Sequence, residues 1–68
     1  MSASTRTLTS VRAREVKPGD VTHFGDVPYT VTEVVPGANG QIYLIMRSES
    51  GGVIVPERDP GEIASVWR

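Results

Sequence analysis

The chain contains no cysteine and only one histidine. It therefore cannot build disulfides or a Cys/His structural zinc site, the usual supplements for a small core. Aromatic residues make up 6%, with one Trp, two Tyr and one Phe, so few large side chains are available to fill an interior. No stretch approaches the roughly 20 apolar residues that span a bilayer as a helix, and the first fourteen residues lack the apolar run of a secretory signal. The absence of cysteine fits a reducing cytoplasm, the expected location. At 68 residues the chain is one domain, whose core supplies about 3–5 kcal/mol.

Leucine is also scarce. Two Leu stand against ten Val and four Ile, and this weight of β-branched side chains favours strands over helices. Seven Gly and five Pro punctuate the sequence at short intervals, the cadence of an all-β chain of short strands and tight turns. Residues 1–7 lack apolar periodicity and read as a flexible N-terminal arm ahead of a domain at 8–68. A first strand is expected from Leu8 to Val16. Lys17-Pro18-Gly19-Asp20 has the Pro and Gly placement of a type II turn. Val21 to Phe24 and Val27 to Val35 read as strands joined by a Gly25-Asp26 hairpin loop.

Alternation places Val27, Tyr29 and Val31 on one face, and a bulge near Thr32-Glu33 is needed to turn Val34 inward and Glu33 out. Asn39-Gly40 supplies two residues tolerant of positive φ before Gln41 to Arg47, which is apolar on both faces and reads as a central strand. Gly52 to Val55 and Ile63 to Trp67 complete the strands. Asp59-Pro60-Gly61-Glu62 carries the cap and first-turn residues of a single 3₁₀ turn before the last strand. The expected core is Val11, Val21, Tyr29, Val31, Val34, Ile42, Leu44, Val53, Val55, Ile63 and Val66.

The run Val16-Lys17-Pro18-Gly19-Asp20-Val21, followed by Phe24-Gly25, Tyr29 to Val34, Leu44, Gly52, Val55 and Val66-Trp67, resembles the skeleton of small bacterial and phage SH3-like barrels, including the KOW and Tudor-like groups. The resemblance implies a single small SH3-like β-barrel of about five strands. It carries no catalytic motif. The valine-rich, glycine-punctuated style is also similar to small actinobacterial and actinobacteriophage proteins, which implies an accessory protein acting on a host component.

The only grouping of catalytic residue types is Asp20-x-x-His23-x-x-Asp26, and the two acids are better explained as turn residues bonding their own backbone. No phosphate-cradling glycine loop precedes a helix. Neither enzymatic activity nor a cofactor, metal, membrane or small-molecule partner is expected. If Ile42, Leu44 and Met46 face inward, Tyr43 and Ile45 point outward. Tyr43, Ile45, Arg47 and Trp67 are then the candidate protein-binding residues of an interaction module, which binds a partner or a second copy through sheet surface or an open strand edge. The near-neutral total of −1 conceals an asymmetry. Residues 1–19 carry Arg6, Arg12, Arg14 and Lys17 against Glu15, whereas residues 20–68 carry three Arg against seven acids. Arg6, Arg12, Arg14 and Lys17 are the candidate polar rim or, in the alternative reading as a KOW-like nucleic-acid binder, the phosphate contacts. A pI near 5.7 favours the protein partner.

Overall fold

In the computed structural model, which describes residues 7–68, the chain is all-β. Its strands are β1 (Leu8–Arg12), β2 (Val21–Phe24), β3 (Val27–Pro36), β4 (Ile42–Ser48), β5 (Val53–Ile54), β6 (Glu57–Arg58) and β7 (Ile63–Trp67). Arg6 and the rest of the expected arm up to it lie outside the described residues. Thr7, assigned to that arm, instead exchanges backbone hydrogen bonds with Arg68 at 2.8 and 3.0 Å, which extends the β1–β7 ladder.

Glycine positions explain the reversals. Gly19 has φ of 98° and Asp20 N–H donates to the Lys17 carbonyl, the expected type II turn. Asn39 and Gly40 both have positive φ (57° and 78°), and Gln41 N–H donates to the Ala38 carbonyl, so Asn-Gly makes the reversal between β3 and β4. The register of β3 against β4 shifts between Val31 and Glu33. This is the expected bulge. It leaves Thr32 and Glu33 exposed and returns Val34 to the core side.

All strand pairs are antiparallel, in the order β1-β7-β2-β3-β4-β5, with β6 also on β4. The path is open, with β1 at one end and the β5/β6 edge of β4 at the other. The sheet has seven strands rather than about five. Six of the seven fall on the six segments that read as strands, and the addition is β6, which follows Pro56 along the same edge of β4 as β5; between them Leu44 N–H donates to the Pro56 carbonyl at 3.0 Å. Pro56 has no N–H of its own for the ladder, so one line of chain is read as two short strands.

The first strand also stops earlier than expected. It ends at Arg12, and Ala13–Glu15 winds into a 3₁₀ turn that keeps Ala13 and Val16 buried. Before the last strand there is no 3₁₀ segment. Asp59-Pro60-Gly61-Glu62 closes as a single turn, with Glu62 N–H on the Asp59 carbonyl and Gly61 N–H on Asp59 Oδ1. The Asp59 side chain thus serves the turn itself rather than starting a longer helical segment.

Val11, Val16, Val31, Leu44, Met46 and Val66 form the core, with Tyr29, Val34, Ile42, Ile54 and Ala64 packed against it. Val53, Val55 and Ile63 were expected inside and are instead exposed. Pairing decides each case. Ile54 lies opposite the buried Met46, which places Val53, opposite Arg47, on the outer face. In β7 the inward positions are Ala64 and Val66, so Ile63 faces out by alternation. No helix among the described residues is long and apolar enough to cross a membrane.

Candidate functional site

The ladder between β2 and β7 consists of one pair, Val21↔Trp67. Alternation would continue it through His23↔Ser65, but the strands part after the first pair. The seam is bridged there by a side chain: Thr22 Oγ1 donates to the Ser65 carbonyl at 3.1 Å. A cleft of about 230 Å³ opens beside this splayed seam and reaches the core. Val31, Leu44, Met46 and Val66 are among its buried lining, while Phe24 and Ile63, 50% and 60% exposed, stand at its mouth. Arg58 and Glu62 add opposite charges to the lining. A second, more open hollow shares Thr22, His23 and Ser65 with the first and is completed by Leu8 and Trp67.

The polar groups at the seam serve the fold. Trp67 Nε1 donates to His23 Nδ1 at 3.1 Å, with the two rings edge to face at 6.2 Å. Phe24 meets Tyr29 edge to face on the other side of the hairpin. The two acids flanking His23 in sequence do not share its site. Asp20 is buried, accepts Lys17 N–H at 3.0 Å and is clasped by the Arg68 guanidinium at 3.1 and 3.2 Å, while Asp26 occupies the exposed Gly25-Asp26 loop. Among the described residues no three His, Cys, Asp or Glu side chains are grouped to hold a metal ion.

The four candidate binding residues do not form one cluster. Tyr43, Ile45 and Arg47 share the outer face of β4, as alternation predicts, with Arg47 exposed and the other two half-buried. Trp67 lies in the cross-strand row of Arg47, through Val21 and Thr30, but three strands away, roughly 14 Å at ordinary strand spacing. Its neighbours are Leu8 and the seam. Tyr43 is committed locally. Its ring lies so close over Gly37 that a β-carbon there would stand 2.7 Å from Tyr43 Cε2. Gly37→Ala is therefore expected to push the ring off its seat and cost about 1–3 kcal/mol, measured by chemical denaturation. A loss below about 0.5 kcal/mol would show that the ring is free to move aside.

The basic candidates are dispersed. Arg12 donates from its guanidinium to the Gly61 carbonyl at 3.0 Å, which ties β1 to the turn before β7. Arg14 and Lys17 are exposed, on the 3₁₀ turn and at the following reversal. Sequence reasoning located Trp67 but missed the seam. Phe24 reads in the sequence as a strand end within the SH3-like skeleton and Ile63 as core, and the end of a ladder leaves no mark in the local pattern. Comparison of the chain with protein-family models, curated proteins and solved structures finds no match.

Proposed function

We propose that the chain is a non-catalytic protein-interaction module of the SH3-like barrel type, which grips one apolar side chain of a partner protein at the β2/β7 seam. One observation carries the reading: a cleft of about 230 Å³, lined by the buried Val31, Leu44, Met46 and Val66 and edged by polar side chains, opens where the β2/β7 ladder stops after one pair. A hollow of that size admits a single large aliphatic or aromatic side chain, since an apolar cavity of about 150 Å³ already accepts benzene. Buried pockets that take one anchor residue, with a polar rim beside them, are the places where protein interfaces concentrate their energy. Arg58 and Glu62 provide that rim, and Trp67 extends the contact surface toward Leu8. The SH3-like assignment is supported by the all-antiparallel strand order, the bulge in β3 and the single turn before the last strand.

The test is affinity capture from the native cell lysate, with and without nuclease, comparing the wild type with Ile63→Arg. Ile63 is 60% exposed, so the substitution places a charge at the mouth of the cleft and costs the fold no more than about 1 kcal/mol, through repulsion from Arg12 directly opposite in β1. A partner protein retained after nuclease treatment and lost with Ile63→Arg is the expected outcome. Retention that nuclease abolishes would instead support nucleic-acid binding through Arg12, Arg14 and Lys17, and retention indifferent to Ile63→Arg would overturn the seam as the site.

A further inference from the structure

The free edge of β1 is a self-complementary strand, and we infer that it pairs with the same edge of a second copy of this chain about a two-fold axis through Ser10. The argument begins with the direction of the backbone groups. Thr7 and Arg68 exchange hydrogen bonds, and Ala13 N–H donates to the Glu62 carbonyl. Along β1 the odd-numbered residues therefore bond toward β7, and Leu8, Ser10 and Arg12 turn their N–H and C=O groups the other way. Among the described residues no strand occupies that side, since β1 ends the sheet.

A symmetric antiparallel pair must have its centre at a fixed point of the strand. Ser10 is the midpoint of Leu8–Arg12 and bonds outward, so a pair centred there is hydrogen-bonded at its middle. Ser10 then exchanges two bonds with Ser10 of the second copy, and Leu8 N–H of each chain donates to the second lone pair of the other's Arg12 carbonyl, the first being taken by the 3₁₀ turn that Arg12 caps. The side chains are compatible in this register. Leu8, 53% exposed, comes to lie beside the aliphatic stem of the opposing Arg12, Thr9 faces Val11, and no like charges stand directly opposite. The strand carries no Pro and no inward charge, two of the usual blocks to edge pairing.

One block is present. Arg12 N–H already donates to Glu15 Oε1 at 2.9 Å, so an acidic side chain caps one end of the edge. The dimer accordingly forms with these two groups withheld, and Glu15 sets how tightly it holds.

The experiment is sedimentation equilibrium over a concentration series up to about 1 mM, the regime of small, transient interfaces. The wild type is expected to rise from 7.3 kDa toward twice that mass. Ser10→Pro removes only an outward N–H, which an edge strand tolerates, and is expected to stay monomeric with unchanged circular dichroism. Should Ser10→Pro prove unfolded, Leu8→Arg places a cation opposite Arg12 of the second copy and is expected to abolish association. Glu15→Ala frees two further donors and is expected to tighten the dimer about tenfold. A mass of 7.3 kDa throughout, or a dimer that folded Ser10→Pro and Leu8→Arg both retain, overturns the inference. Ile63→Gln, which alters the mouth of the cleft without setting a like charge opposite Arg12 of β1, separates the two sites. It is expected to leave self-association unchanged, and a strict monomer that still retains a partner protein through Ile63 would remove the dimer while leaving the seam intact.

Discussion

Met46→Ala is expected to remove most of the protein's stability at 25 °C. Met46 is 2% exposed and lies in β4 between Val31 of β3 and Ile54 of β5, where both neighbouring strands meet the core. Truncating a buried Met removes its transfer free energy and leaves a cavity, a loss of about 2–5 kcal/mol. The core of so small a domain supplies only about 3–5 kcal/mol in all. Few other large side chains are fully buried, so no neighbour is placed to take over its share. The cleft beside Met46 works in two directions. It gives the site room to relax, yet it also lets the new cavity merge with solvent. Denaturant titration followed by circular dichroism measures the loss, and a midpoint shift worth less than about 1 kcal/mol would mean that the β2/β7 seam closes down on the vacated space.

Arg68→Ala is expected to cost about 2–3 kcal/mol, a large loss for a residue partly exposed to solvent. The Asp20 carboxylate is nearly enclosed, with 4% of its side chain exposed against 32% for Arg68. Removing Arg68 strips the carboxylate of two charge-assisted bonds, at 3.1 and 3.2 Å, and leaves it the Lys17 N–H. Stranding a buried charge costs about 3–5 kcal/mol, and the exposure of Arg68 brings the figure below that range. Arg68 also donates to the Glu15 carbonyl at 2.9 Å, so the same substitution loosens the 3₁₀ turn. Asp20→Asn keeps an acceptor for Lys17 N–H and is the matched partner for a double-mutant cycle. A coupling of at least about 1 kcal/mol is expected between Asp20 and Arg68, and additivity of the two substitutions would show that the pair contributes through separate contacts.

The parts of the fold that were legible in the sequence are those fixed within a few residues. Gly19, Gly25 and Asn39-Gly40 sit at positive φ because no other common residue types tolerate it so readily, and the bulge between Val31 and Glu33 follows from a break in alternation. The failures concern choices settled by distant partners. Val53, Val55 and Ile63 have the apolarity of core residues, and only their cross-strand neighbours reveal that Ile54, Ala64 and Val66 hold the inward positions. Ile63 and Val66 are three apart in one strand, so alternation alone forbids both from facing in. The buried Asp20 was legible as a turn residue. Its clasp by Arg68, 48 positions away, was not. The candidate site divides in the same way: Trp67 stood out by type and the outward face of β4 by parity, while the seam is the place where one ladder stops, a property of two strands together.

The β1–β7 ladder joins Leu8–Arg12 to Ile63–Trp67, the two ends of the described sheet in sequence. Contacts so far apart along the chain form late, because closing the intervening loop takes entropy before any contact returns it. The hairpins β2–β3 and β3–β4 are local and can assemble while β1 still waits. During synthesis Val11, Ala13 and Val16 emerge early but find their seats only once Val66 has followed. For that interval a strand with both edges open is exposed on the nascent chain, and the time the last strand takes to arrive sets how long it stays available for pairing with the wrong neighbour.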